Sequence, residues 1–111
     1  MSMKVKREEI DRDLLLQVEG SVDIASSPEL RGELRVAVDA KRPRIIVDMS
    51  GVTFVDSSGL ATLIEALQGT KRYGGQLKLC CLSSTVLGVF QLANLDNIFS
   101  ISTTRDEALA G

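Results

Sequence analysis

The chain of 111 residues contains no histidine and no tryptophan, and it has only two cysteines. Without histidine it can build neither a Ser-His-Asp nor a Cys-His nucleophile pair, and it has no general base whose unperturbed pKa lies near neutrality. Two cysteines without histidine also cannot complete a four-ligand structural zinc site. We therefore expect no catalytic residue, no metal site and no cofactor, and we do not expect an enzyme.

Aromatic residues and excess charge are also scarce. One tyrosine and three phenylalanines are too few for a base-stacking platform, and a formal net charge of −2 provides no basic footprint for nucleic acid. No apolar stretch approaches the roughly 20 residues that cross a bilayer. The charged N-terminus runs into Glu8 and Glu9 instead of an apolar signal-peptide core. We expect a cytoplasmic protein with no direct nucleic-acid partner and no membrane partner.

What the chain does have is a regular alternation of short apolar strands and amphipathic helices. The predicted order is β, β, α, β, α, β, α, β, α, and no repeat, low-complexity tract or linker divides residues 1–111. A hydrophobic share of 44% over this length is enough for one core. The sequence therefore predicts a single α/β domain, with a mixed β-sheet of about five strands and about four packed helices.

Local signals predict where individual elements begin and end. Ser27 can cap the first helix, and Pro28 suits its first position. Residues 45–47 form a continuous β-branched run, which is typical of a central strand buried on both faces. Residues 48–51 then predict a turn before a second extended piece over 52–55.

Further along the chain, residues 98–101 predict the last strand, and Ser83 or its neighbour caps the third helix. Cys80 and Cys81 fall in a predicted strand, so their side chains should point to opposite faces as reduced core residues. Leu87, which precedes Gly88 in the third helix, is either a marginal core contact or part of a partner or self-association patch.

Asp56, Ser57, Ser58 and Gly59 open the second predicted helix. The first N–H groups of a helix lack intrahelical acceptors and carry a partial positive charge. A hydroxyl there can cap the helix, and a phosphate on that hydroxyl would be held by the same free amides. On these residue types alone the segment is an ordinary helix cap, and Asp23 is an ordinary solvated turn residue.

The longer segment that contains these residues changes this interpretation. Residues 45–60, which read IIVDMSGVTFVDSSGL, resemble the signature of the STAS family, in particular bacterial anti-sigma factor antagonists of the sporulation and general-stress type. The resemblance includes residues 20–23, 74–75 and 77–79, continues through Val86, Phe90, Leu92 and Leu95, and ends at residues 107–109. It therefore covers almost the whole chain and implies a single STAS-type domain over 1–111.

The resemblance implies a binding module that phosphorylation controls. In this family the unmodified antagonist binds an anti-sigma factor that is also a serine kinase, and a sigma factor is released for transcription. Phosphorylation weakens that complex, and a metal-dependent serine phosphatase reverses it. By position, Ser57 is the phosphate acceptor. Asp56, Ser58 and Gly59 shape the docking loop, and Asp23 contacts a basic group of the kinase.

Two other interpretations stay open at this point. A STAS module can act as a stressosome-type scaffold or as a transporter accessory subunit without a sigma-factor partner, although the intact segment 56–59 favours the switch. A protein that binds nucleotides is a different class, but the chain has no Gly-x4-Gly-Lys-[Ser/Thr] loop and no Gly-x-Gly-x-x-Gly motif. Self-association is not predicted.

Overall fold

The computed structural model describes residues 3–110, which form one five-stranded sheet and four helices in the predicted order. The elements are β1 (Lys4–Ile10), β2 (Asp13–Val22), α1 (Ser27–Asp39), β3 (Arg44–Val55), α2 (Ser57–Arg72), β4 (Gln76–Cys80), α3 (Ser84–Leu92), β5 (Ser100–Ser102) and α4 (Arg105–Ala110). The predicted α/β class and the approximate numbers of strands and helices are confirmed.

The strands lie side by side in the order β1-β2-β3-β4-β5. β1 and β2 are antiparallel and joined by a tight turn, whereas β2, β3, β4 and β5 are mutually parallel. Parallel neighbours need a crossover connection, and α1, α2 and α3 provide the three crossovers. The sheet is therefore mixed, and the carboxyl ends of β2 and β3 meet at the same edge.

Side chains that alternate along the strands build two unequal cores. Leu14, Leu16, Ile45 and Val47 belong to the larger core, which includes buried residues of α1, α2 and α3. The intervening positions face α4, where a smaller cluster contains Leu15, Ile46, Cys80 and Ala108. Both faces of the central strands are covered, which explains why their sequences are apolar without interruption. Within residues 3–110, no helix is both long and apolar enough to span a membrane.

The predicted turn at 48–51 is wrong, because β3 continues through it from Arg44 to Val55. Asp48 is a typical turn residue, but here its carboxylate is buried and accepts two hydrogen bonds from Arg105 of α4, at 2.6 and 3.1 Å. A partner 57 positions along the chain thus satisfies a charge that would otherwise have to reach solvent. β2 extends to Val22, with register shifts against β3 after Gln17 and Gly20.

Two element ends also differ from prediction. Ser27 is buried in the first turn of α1, and the N-cap position falls on Ser26, whose hydroxyl donates to Ser21 O (2.7 Å) rather than capping. The last strand is Ser100–Ser102 rather than 98–101, because Phe99 turns into the core instead of pairing. By contrast, the predicted cap by Ser83 is confirmed, since its hydroxyl accepts from Val86 N at 3.2 Å.

The expectation that Cys80 and Cys81 point to opposite faces is wrong. Cys80 is the last residue of β4 and lies buried under α4. Cys81 follows with φ at 64°, a left-handed backbone conformation in which strand alternation no longer holds. Its thiol therefore lies within 4.8 Å of the Cys80 sulfur and of the Asp48 carboxylate.

Leu87 is half-buried and lines a surface depression together with Leu82 and Ile101. A Cβ added at Gly88 would meet no atom within 4 Å, so packing does not require glycine there. On the same helix, Leu92 is 89% exposed.

Phe90 on α3 is fully buried and contacts Phe99 edge to face, with ring centroids 5.6 Å apart. We predict that Phe90→Ala lowers the free energy of unfolding by about 3–5 kcal/mol, because it removes buried apolar surface and leaves a cavity. Leu92→Ala, on the same helix, should change it by less than about 0.5 kcal/mol. Urea unfolding checks both variants, and equal losses would contradict the assigned core.

Candidate protein-docking site

The β2–α1 and β3–α2 loops meet at the carboxyl edge of the sheet. Asp56 N donates to Val22 O at 3.1 Å, which continues the pairing of β2 and β3 beyond the last strand residue. Ile24 N in turn donates to Asp56 Oδ2 at 3.2 Å. The structure thus brings the loop of Asp23 and the loop of Ser57 to one place.

The carboxylate of Asp56 is the cap of α2. Its Oδ1 accepts from Ser58 N (2.9 Å), Gly59 N (3.2 Å) and the Ser58 hydroxyl (2.5 Å). The Ser58 hydroxyl bond lowers the pKa of Asp56, and the backbone N–H groups of Gly59, Ser58 and Ile24 act in the same direction. Asp56 is therefore ionised at neutral pH and holds the helix entrance in one geometry.

The two adjacent serines differ in access. Ser58 is half-buried and its hydroxyl is committed to Asp56. Ser57 is the first residue of α2 and is exposed, and within residues 3–110 its hydroxyl has no hydrogen-bond partner. Of these two serines, Ser57 is the one whose hydroxyl a macromolecule can reach.

One part of the expectation for this helix start is wrong. The N–H groups of Ser58 and Gly59 are not free to hold a phosphate, because both already donate to Asp56. A phosphate on Ser57 would instead lie next to an ionised carboxylate. The helix N-terminus therefore offers such a group less stabilisation than an uncapped one would.

Gly59 allows the first turn of α2 to approach β2 closely. A Cβ built at this position would lie 2.9 Å from Val22 O and 2.9 Å from Val22 Cγ1. Real Cβ atoms do not come this close to backbone, so any larger residue would push the helix start away from the sheet. Gly59 thus shapes the loop by its lack of a side chain.

Asp23 organises the other loop. Its Oδ1 accepts from Ala25 N and Ser26 N, both at 3.0 Å, which is a typical Asx turn. The residue is half-buried. Within residues 3–110, neither Asp23 nor Asp56 forms a salt bridge, so no cation of the described chain neutralises this edge.

Two apolar side chains near these aspartates are largely open to solvent. Ile24 is 79% exposed at the tip of its loop, and Phe54, two positions before Asp56, is 50% exposed. Neither was singled out from the sequence, although an isoleucine inside a polar turn is a usable signal. We call Asp23, Ile24, Phe54, Asp56 and Ser57 together the Ser57 surface.

Comparison with known proteins identifies the fold family. The family model described as STAS domain matches residues 4–108. The chain belongs to the STAS domain family. The match spans every strand and all helices except the last two residues of α4.

Relatives align with nearly the whole STAS chain. BtrV of Bordetella bronchiseptica, a candidate anti-sigma factor antagonist, is 29% identical over 108 residues, covering 97% of this chain and 93% of BtrV. The anti-sigma-B factor antagonist of Bacillus subtilis is 28% identical over 106 residues, covering 96% of each. A crystal structure of an anti-sigma factor antagonist from Mycobacterium paratuberculosis has a TM-score of 0.90 at 25% identity, covering 98% of this chain and 92% of that one.

The cap geometry predicts a measurable titration. The carboxyl of Asp56 should titrate below its ordinary pKa of 3.8, and Ser58→Ala should raise the midpoint by removing the hydroxyl donor. Because the folded pKa is depressed, the stability that Asp56 contributes is present at neutral pH and is lost as pH falls through the folded value. NMR titration of the side-chain carboxyl measures the midpoint.

Ser57→Ala is the matched control for that titration, since the Ser57 hydroxyl does not bond Asp56. Its Asp56 midpoint should equal that of the unmodified chain. An unshifted midpoint in Ser58→Ala, or a midpoint at or above 3.8 in the unmodified chain, would contradict the assigned cap.

Proposed function

We propose that this protein is an anti-sigma factor antagonist. In its unphosphorylated form it binds an anti-sigma factor that is also a serine kinase, and the bound anti-sigma factor releases a sigma factor. Relatives of that name align over nearly the full chain. The single observation that carries the proposal is the exposed hydroxyl of Ser57 at a capped helix start, which has no hydrogen-bond partner among residues 3–110.

Ser57 is the acceptor of a phosphoryl group in this proposal. A kinase that brings its own ATP needs only a hydroxyl on an accessible segment of fixed geometry. Asp56 fixes that geometry from one side and Gly59 from the other, and the Ser58 hydroxyl is withheld because it donates to Asp56. The chain itself then contributes no catalytic residue.

Phosphorylation switches binding off through local charge. It adds about 1.5–2 negative charges at pH 7 beside the ionised Asp56. The amides of Ser58 and Gly59 are already used, so burying the phosphate in an interface without matched donors costs several kcal/mol. Each 1.4 kcal/mol corresponds to a tenfold loss of affinity, so the switch spans orders of magnitude. A serine phosphatase restores the binding form.

The Ser57 surface also suggests how the partner docks. Ile24 and Phe54 supply exposed apolar area for the centre of an interface. Asp23 and Asp56, which have no cationic partner among residues 3–110, suit a basic group on the kinase. Asp23 keeps its loop in shape through Oδ1, and its second oxygen remains available for that contact.

We predict that an anti-sigma factor kinase from the same organism, given ATP, phosphorylates Ser57 and no other serine. Ser58 is excluded by its bond to Asp56. Ser84 is the matched control, because it is exposed and is also the first residue of a capped helix, α3. Phosphopeptide mapping by mass spectrometry locates the phosphate. Modification at Ser84, or incorporation that survives Ser57→Ala, would contradict the assignment.

Charge substitution tests the switch directly. Ser57→Ala should bind the kinase as tightly as the unmodified chain and should stay bound in the presence of ATP. Ser57→Asp should weaken binding at least about tenfold, because it places a second carboxylate beside Asp56 in the interface. Ser84→Asp, the same change at the start of α3, should leave affinity unchanged. Calorimetry or surface plasmon resonance gives the dissociation constants.

Equal affinities for Ser57→Asp and the unmodified chain would contradict the switch. If no anti-sigma factor bound at all, the proposal would fail in favour of a STAS scaffold or transporter accessory subunit. The two failures differ, because the first leaves an observed complex and the second does not.

A further inference from the structure

Three side chains with metal-binding atoms converge on the face of the sheet that α4 covers. Asp48 on β3 is in register with Cys80 on β4, and Cys81 follows at the end of that strand. The carboxylate oxygen and both sulfurs all lie within 4.8 Å of one another. The centre of such a triangle is at most about 2.8 Å from each atom, so a small contraction reaches the zinc–sulfur distance of about 2.3 Å.

The carboxylate of Asp48 is already oriented. Its Oδ2 accepts from Arg105 Nη2 (2.6 Å) and Nε (3.1 Å), and its Oδ1 accepts from Ser50 N (2.9 Å). A carboxylate has about four lone-pair sites, so these three bonds leave room for a metal ion. Hydrogen bonds of this kind hold ligating carboxylates in place in known metal sites.

The backbone at Cys81 is what brings the second sulfur to the cluster. Its φ of 64° is uncommon for a residue other than glycine, asparagine or aspartate. A hydrogen bond from Cys81 N to Ser102 O at 3.1 Å holds it there. Cys80 is buried whereas Cys81 is half-buried, so an ion can enter from the side of Cys81.

A shared ion fits this pair of thiols better than a disulfide. Adjacent Cα atoms are about 3.8 Å apart, shorter than the roughly 4.4–6.8 Å that disulfides span without strain. Two thiolates on one tetrahedral zinc ion stand about 3.8 Å apart, which is compatible with the observed sulfur positions.

We propose that Asp48, Cys80 and Cys81 bind one thiophilic divalent cation of the zinc class, with a fourth position open to water. On binding, two S–H bonds break, two sulfur–metal bonds form, and both protons pass to solvent. One carboxylate and two thiolates then carry three negative charges, which the divalent cation and the Arg105 guanidinium balance. This charge balance favours a divalent ion over a monovalent one.

Cadmium ion tests the site, because thiolate–cadmium bonds absorb in the ultraviolet. The full chain, kept reduced with a non-thiol reductant, should bind one equivalent of Cd²⁺ with growth of this band. Cys81→Ser should lose most of the band. Asp106→Asn, an exposed acidic residue next to Arg105, is the control and should bind as the unmodified chain does. Absence of the band, or an undiminished band in Cys81→Ser, would overturn the proposal.

Two further measurements address the third ligand and the cation itself. Asp48→Asn, if folded by circular dichroism, should weaken Cd²⁺ binding at least about tenfold, and unchanged affinity would overturn the three-ligand site. In the unmodified chain, Zn²⁺ should slow alkylation of Cys81 by iodoacetamide, and an unchanged rate would overturn the site even if Asp48→Asn does not fold. Neither measurement involves a kinase, so the outcomes are independent of the function proposed for Ser57.

Discussion

The carboxylate of Asp56 is the interaction on which the candidate site depends. It accepts hydrogen bonds from the first turn of α2 and from Ile24 in the neighbouring loop, so one ionised group ties two crossover connections together. The bonds from α2 join residues two and three positions apart, whereas the bond from Ile24 joins residues 32 positions apart. The exposure of Ser57 follows from them: the cap directs Ser58 inward and leaves the preceding hydroxyl in solvent. A loop that sampled several conformations would present neither serine consistently.

Sequence reasoning succeeded where the determining forces are local or periodic. Apolar positions repeating along α2, a proline at the start of α1 and β-branched runs in the central strands are consequences of helix geometry and burial, and they place the elements correctly. The segment 56–59 was recognisable as a helix entrance for the same reason. Which of its polar groups caps the helix was not, because a cap depends on the backbone angles of Asp56 rather than on residue type alone.

The errors arose where a distant residue overrides a local preference. Asp48 and the residues after it are of types that favour turns. They lie within a strand because Arg105 pairs with the Asp48 carboxylate, which would otherwise need to be solvated. No local pattern can reveal a pairing across 57 positions. Cys81 is a second case: strand alternation predicted its direction, but the hydrogen bond to Ser102 of the last strand holds it in a left-handed conformation. In both cases the missing information is the position of the chain's C-terminal part, in which β5 forms an edge of the sheet and α4 packs on its second face.

The two faces of the sheet also separate the two proposed sites, and this constrains how phosphorylation can act. Arg105 and Asp48 hold α4 on one face, whereas the Ser57 surface lies at the edge from which α1 and α2 start on the other. A phosphate on Ser57 would find the amides of Ser58 and Gly59 already bonded to Asp56, and displacing that carboxylate would free an ionised group beside the new charge. Rearranging the helix start would therefore not reduce the repulsion between the phosphate and the Asp56 carboxylate. In the proposed switch, the added charge would therefore act on the partner that must cover it rather than on the fold.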